Sequence, residues 1–230
     1  MTLRIASFAP VHNKPGINPD TKRPWGDADE FRREAAKFAV VHGPLVKTYL
    51  FDNHEEPDTR AKYVRDALAL HADLDAIAFF CHGSLRGIQA GFEGRLGATQ
   101  LGVALARFHS LKTIALYCCD LGRDADKDRA DDLLPGPGGD GGWADTLRDE
   151  LAQTFSRAVT VYAHSVVAHT TKAPWVRRFS YLTGNGGEWV VEPDSDQWKA
   201  WCRMLQSSPD LRLRFPFMSQ AEIEGAIARG

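Results

Sequence analysis

The sequence predicts an α/β protein, a three-layer sandwich built on a mostly parallel, doubly wound sheet. Three observations carry this. Residues 76–81 and 113–118 are two apolar runs of strand length without polar alternation, the pattern of strands buried on both faces of a parallel sheet. Segments of helical periodicity, about 10–15 residues long, separate the strand candidates. Strand–helix alternation of this kind implies right-handed crossovers and helices on both sides of the sheet.

The elements follow in order. Residues 3–8 are short and apolar and make the first strand. A Pro- and Gly-rich loop covers 10–26. Asp27 caps the first helix, with Glu30 as capping-box partner. Phe31, Ala35 and Phe38 fall at helical spacing, and Gly43-Pro44 ends the helix. Residues 46–51 make the second strand. Asp58 or Thr59 opens the second helix, whose stripe is Val64, Leu68 and His71. The run 76–81 is the third strand, and the Gly-rich stretch 83–94 suits a small hairpin. A third helix over 98–109 places Leu101, Leu105 and Phe108 on one face. The run 113–118 is the fourth strand.

A charged, then Gly/Pro-rich loop spans 120–142. Its part from Arg123 onward, about 20 residues, exceeds ordinary connections and is expected to be flexible and protease-sensitive. Trp143, Leu147, Leu151 and Phe155 mark the next helix, and 158–163 the fifth strand. Residues 188–192 suit a late strand. Trp198, Trp201, Cys202 and Leu205 line one face of a helix. The expected organisation is one α/β domain over 1–190, with a C-terminal helical extension, 191–230, packed on it.

Composition excludes several classes. The 230 residues are 43% hydrophobic and 25% charged, with a net charge of −2, which is an ordinary globular balance and not the footprint of a dedicated nucleic-acid binder. No window approaches the ~20 apolar residues of a membrane span. The opening residues, 1–7, lack an apolar h-region, so no secretory signal is expected. Four unevenly spaced cysteines do not make a disulfide framework. A reducing, cytoplasmic setting is the expectation. No G-x-S-x-G, P-loop or dinucleotide glycine pattern is present.

In an open parallel sheet, sites form beyond the carboxyl ends of the strands. The third strand ends in Cys81-His82-Gly83 and the fourth in Cys118-Cys119-Asp120. If those strands are neighbours, their ends stand about 5 Å apart. A Cys and a His can then share one crevice as nucleophile and general acid/base. Side-chain alternation makes one member of each pair, Cys81/His82 and Cys118/Cys119, core-facing. The N–H groups of Gly83 and Cys119 can form an oxyanion hole. The competing reading of Cys119 is a buried strand-end cysteine.

These two segments resemble the motifs of the caspase-like cysteine peptidases, a clan that includes caspases, metacaspases, legumains, gingipains and separases. Residues 78–83 are similar to their apolar strand ending in His-Gly. Residues 114–122 are similar to the strand ending in a small residue, the catalytic Cys and a Gly. The resemblance implies His82 as catalytic histidine, Cys119 as nucleophile, Cys118 in the small-residue position and Gly83 in the oxyanion hole. The 37-residue spacing leaves room for one crossover helix, as that topology requires. The implied activity is a cysteine endopeptidase acting on a protein or peptide, without a cofactor. The alternative is a non-catalytic caspase-like module that binds a peptide or partner protein.

Tyr117 departs from the clan pattern, where several branches carry an acidic residue and caspases carry Gln. A phenol offers no charge to Arg or Lys, so an apolar or small residue is expected before the scissile bond. His164 is expected to line the substrate groove. Arg177, or its neighbour Arg178, is the candidate partner for a substrate carboxylate. His164 and His169, five apart, do not match zinc spacing. Asp124, Asp126 and Asp128 begin like a calcium loop, but Arg129 and Pro135 stand where an EF-hand needs Gly and Glu. A solvated acidic loop or an irregular Ca²⁺ site remain the two readings there.

Overall fold

A computed structural model describes residues 3–12, 30–125, 133–167, 173–180, 186–215 and 217–229. The strands are β1 (Ile5–Pro10), β2 (Val46–Phe51), β3 (Ala76–Phe80), β4 (Gly83–Ser84), β5 (Gly87–Ile88), β6 (Phe92–Glu93), β7 (Thr113–Tyr117), β8 (Thr160–His164), β9 (Val176–Phe179) and β10 (Glu188–Trp189). The helices are α1 (Glu30–His42), α2 (Pro57–Ala69), α3 (Gly94–Leu105), α4 (Trp143–Asp149), α5 (Asp196–Ser207), α6 (Pro209–Arg214) and α7 (Gln220–Ile227). A π-helical turn, Glu150–Thr154, continues α4.

The central sheet has seven strands in the order β10-β9-β8-β7-β3-β1-β2. β2, β1, β3, β7 and β8 run parallel, and β9 and β10 close one side antiparallel. The two apolar runs are the adjacent central strands β3 and β7, and every residue of β3 is buried. Helices cover both faces. On one face α2, α3 and α4 pack Val64, Leu68, Leu101, Leu105 and Leu147 onto the sheet. On the other, α1 packs Ala35 and Phe38, α6 adds Leu213, and α5 and α7 bring Trp201, Leu205 and Ile223 against Val176 and Val190. No helix among the described residues is long and apolar enough to cross a membrane.

Several local readings shift. The second helix opens at Pro57, because proline suits the first helical position. The third starts at Gly94 and ends at Leu105. The stretch after β3 forms a three-stranded sheet, β4-β5-β6, rather than a single hairpin. β9, α6 and α7 are additional to the sequence expectation. Asp27, the expected cap of α1, lies outside the described residues, as do Asp126, Asp128 and His169.

The loop expected to be flexible is anchored in its second part. Trp189 Nε1–H donates to the Leu134 carbonyl at 3.0 Å, and Gly138 and Gly187 exchange backbone hydrogen bonds of 3.0 and 2.7 Å. Residues 126–132 lie outside the described residues.

Candidate active site

The parallel register of β3 and β7 pairs Phe80 with Tyr117. Those two rings stack with centroids 4.4 Å apart. One residue further, Cys81 Sγ and Cys118 Sγ stand 3.5 Å apart, both thiols fully buried. The ladder itself ends at Phe80 and Tyr117; the same register carried one step beyond the cysteines would set His82 beside Cys119. Alternation then puts these two on the α1 side and Cys81 and Cys118 in the opposite core. His82 and Cys119 are both partly exposed. Burial pushes the Cys118 thiol up, which keeps it protonated.

Gly83 makes the closest contact between the two strand ends. A Cβ placed there would stand 2.6 Å from the Cys119 carbonyl oxygen, 2.8 Å from Cys118 Cβ and 3.0 Å from the Cys119 nitrogen. Only glycine lets the two backbones approach this closely. The Gln89 N–H donates to the His82 carbonyl at 2.9 Å. That bond makes Gly83 and Ile88 a non-hydrogen-bonded pair of the β4–β5 ladder, so the Gly83 N–H is turned away from its hairpin partner.

The residues around the pair hold it in place. Phe31 of α1 meets the His82 ring edge-on at 4.9 Å. Gln89 Oε1 accepts from the His82 N–H at 3.4 Å. Asp120 adopts φ +59°, the left-handed region that Asp enters more readily than most residues. The chain turns there at once, and the Gly122 N–H donates to the His164 carbonyl at 2.9 Å. A shallow depression lined by His82, Gly83, Ser84, Arg86, Ile88 and Gln89 opens on the His82 side. Sequence reasoning missed Phe31, Gln89 and Asp120; an aspartate directly after a strand-end cysteine was the available turn signal.

Tyr117, His164 and Arg177 do not line this crevice. Each is almost fully buried, at 2%, 4% and 1% exposure. The Tyr117 hydroxyl donates between the carbonyls of Phe215 at 2.7 Å and Leu213 at 3.2 Å. It therefore ties β7 to the end of α6 instead of facing a substrate. Tyr117→Phe is expected to cost about 1–2 kcal/mol, measured as a drop in the urea midpoint at unchanged slope.

Arg177 sits on the face away from the dyad. Its Nη1 donates to the carbonyls of Gly136 and Gly187, both at 3.0 Å, and its guanidinium lies 3.7 Å over the Trp189 ring. Its charge holds the 133–138 segment, which corrects its assignment to a substrate carboxylate. Arg178 pairs with Glu188 at 2.8 Å.

His164 lies at the end of β8, 6.2 Å ring to ring from Tyr117. Burial pushes its pKa down to about 3, so it stays neutral in the folded protein. The unfolded chain takes up that proton near pH 6.5. Stability linked to His164 is therefore complete above pH 6.5, and falls by up to about 1.4 kcal/mol per pH unit as pH drops toward 3. Its Nδ1 has no hydrogen-bond partner among the described residues, and His164→Leu should flatten the decline. Urea midpoints at pH 6.5 and 5 should show wild type losing about 2 kcal/mol more than the variant.

Comparisons of the chain with protein families, curated proteins and solved structures found no match.

Proposed function

We propose that this protein is a cysteine endopeptidase of caspase-like architecture, working through a Cys119–His82 dyad. The observation that carries this reading is the seating of Gly83 against the Cys118–Cys119 peptide. This close approach of the two strand ends supports a reading in which His82, the partly exposed Cys119 and the Gly83 and Cys119 amides act together at the carboxyl ends of adjacent central strands. The sheet order, with parallel strands followed by an antiparallel pair, supports the same reading.

In the proposed reaction the Cys119 thiolate attacks the scissile carbonyl carbon of a protein or peptide. The developing oxyanion accepts hydrogen bonds from the Gly83 and Cys119 N–H groups. Collapse breaks the C–N bond, and His82 gives its proton to the leaving amine. Water then hydrolyses the thioester, with His82 taking the proton that water loses. A reducing, cytoplasmic compartment is part of this proposal, because the mechanism needs Cys119 as a free thiol.

The experiment is labelling of the folded chain with a peptide carrying a thiol-reactive warhead, read by mass spectrometry, beside proteome-wide cleavage profiling. One adduct on Cys119 is expected, with cleavages absent from the Cys119→Ala profile. A folded protein with no selective adduct and identical profiles would leave the non-catalytic binding module as the better account.

A further inference from the structure

The carboxyl ends of β1 and β2 carry a second cluster that the dyad does not use. β1 is followed by Val11 and His12, and β2 by Asp52 and a turn at Asn53 and His54. The Val11 N–H donates to the Phe51 carbonyl at 2.9 Å, extending the ladder beyond the strands. Asn53, 1% exposed, then clamps the two chains together. Its Oδ1 accepts from the His12 N–H at 3.0 Å, and its Nδ2 donates to the His12 carbonyl at 2.9 Å. The His54 N–H donates to Asp52 Oδ1 at 2.9 Å. The backbones carrying both imidazoles and the carboxylate are thus fixed by hydrogen bonds that need none of the imidazole nitrogens.

The side chains converge. The His12 and His54 rings stack at 4.2 Å, and His12 Nε2 lies 3.7 Å from Asp52 Oδ1. One ligand atom from each of the three residues falls within 4.8 Å of the others.

We propose that His12, Asp52 and His54 form a binding site for a zinc-class divalent cation. Two imidazole nitrogens with one carboxylate oxygen suit Zn²⁺ and its late first-row neighbours, whereas Ca²⁺ and Mg²⁺ take oxygen ligands. Metal–ligand bonds of about 2.0–2.1 Å in a tetrahedron set ligand–ligand edges of about 3.3 Å. The His12–Asp52 edge is close to that length already. The widest gap closes when the exposed His54 ring turns from its stack toward the ion. Three protein ligands leave a fourth position for water, the open arrangement that lets a metal meet an outside ligand. The site lies at the carboxyl end of the sheet, where open α/β sheets place ligands. Asp52 and His54 follow β2, two strands from β3, whereas His12 follows β1, the neighbour of β3.

The test uses the full chain with Cys119→Ala, so that the dyad thiol cannot capture metal. Zn²⁺ affinity is measured by competition with a chromophoric chelator, and Co²⁺ spectra report the ligand type. One equivalent is expected, with a Co²⁺ spectrum of nitrogen and oxygen ligands. His12→Ala, Asp52→Asn and His54→Ala should each weaken Zn²⁺ binding about 100-fold or more, the top of the range for losing a residue that only supports a ligand. Asp52→Asn keeps an acceptor for the His54 N–H, so the turn survives, and melting temperatures in chelator should match the parent. No stoichiometric binding, an affinity in the three variants equal to that of the parent, or a thiolate-to-cobalt charge-transfer band would each overturn the assignment.

Discussion

Replacing Cys119 with alanine should leave a folded protein whose proposed peptidase activity has fallen by about four to six orders of magnitude. His82→Ala should do nearly the same, and the double variant should be little worse than either, because nucleophile and acid/base act as one unit. Cys118→Ala is the informative contrast. Its thiol is fully buried, 3.5 Å from Cys81 Sγ and 3.6 Å from the Phe79 carbonyl, in the core opposite the crevice. Losing that sulfur should cost about 1 kcal/mol of stability and little activity. The measurements are kcat/KM on a peptide chosen by library screening, with circular dichroism to confirm folding. An inactive Cys118→Ala beside an active Cys119→Ala would move the dyad by one residue.

Gly83→Ala should separate the two strand ends. Its methyl group would meet the Cys119 carbonyl oxygen at 2.6 Å and Cys118 Cβ at 2.8 Å. Two of the three nearest atoms are backbone, so the obstruction cannot be relieved by a side-chain rotation. Overpacking of this kind costs about 1–3 kcal/mol of stability. Displacing one amide of the proposed oxyanion hole should lower kcat by about 10²–10³ with a small change in KM. Gly225→Ala is a control of opposite sign. It lies in α7 with its nearest neighbour, an arginine tip, at 3.4 Å, and should gain up to about 1 kcal/mol. A Gly83→Ala enzyme with unaltered kcat would remove Gly83 from the proposed mechanism.

The parts of this fold legible in the sequence are those set by local pattern. β3 and β7 announced themselves as apolar runs because burial on both faces leaves no place for polar alternation. The same period of two separated Cys81 and Cys118 from His82 and Cys119. β9 was illegible because Val-Arg-Arg-Phe carries two cations, and one of them is buried against carbonyls at positions 136 and 187 and the Trp189 ring. Tyr117 and His164 were misplaced for the same reason. Position along a strand says which face a side chain takes, not what covers that face. Over Tyr117 the cover includes α6, a six-residue helix whose place is settled by tertiary packing rather than propensity. The His12, Asp52 and His54 group spans two strand ends 40 residues apart in sequence, so no spacing motif exposes it.

The hydroxyl of Tyr117 also times assembly. Its acceptors, Leu213 and Phe215, lie 96 and 98 positions further along the chain. Contacts of such separation form after local ones, because loop closure must come before any gain from pairing. During synthesis the strand leading into Cys119 can pair with β3 long before residue 215 exists. Until α6 docks, the Tyr117 hydroxyl lacks its two carbonyl acceptors, although Phe38 and Phe80 can already pack on its ring. The proposed nucleophile therefore follows a strand whose last brace is supplied by residues 96 and 98 positions further along the chain.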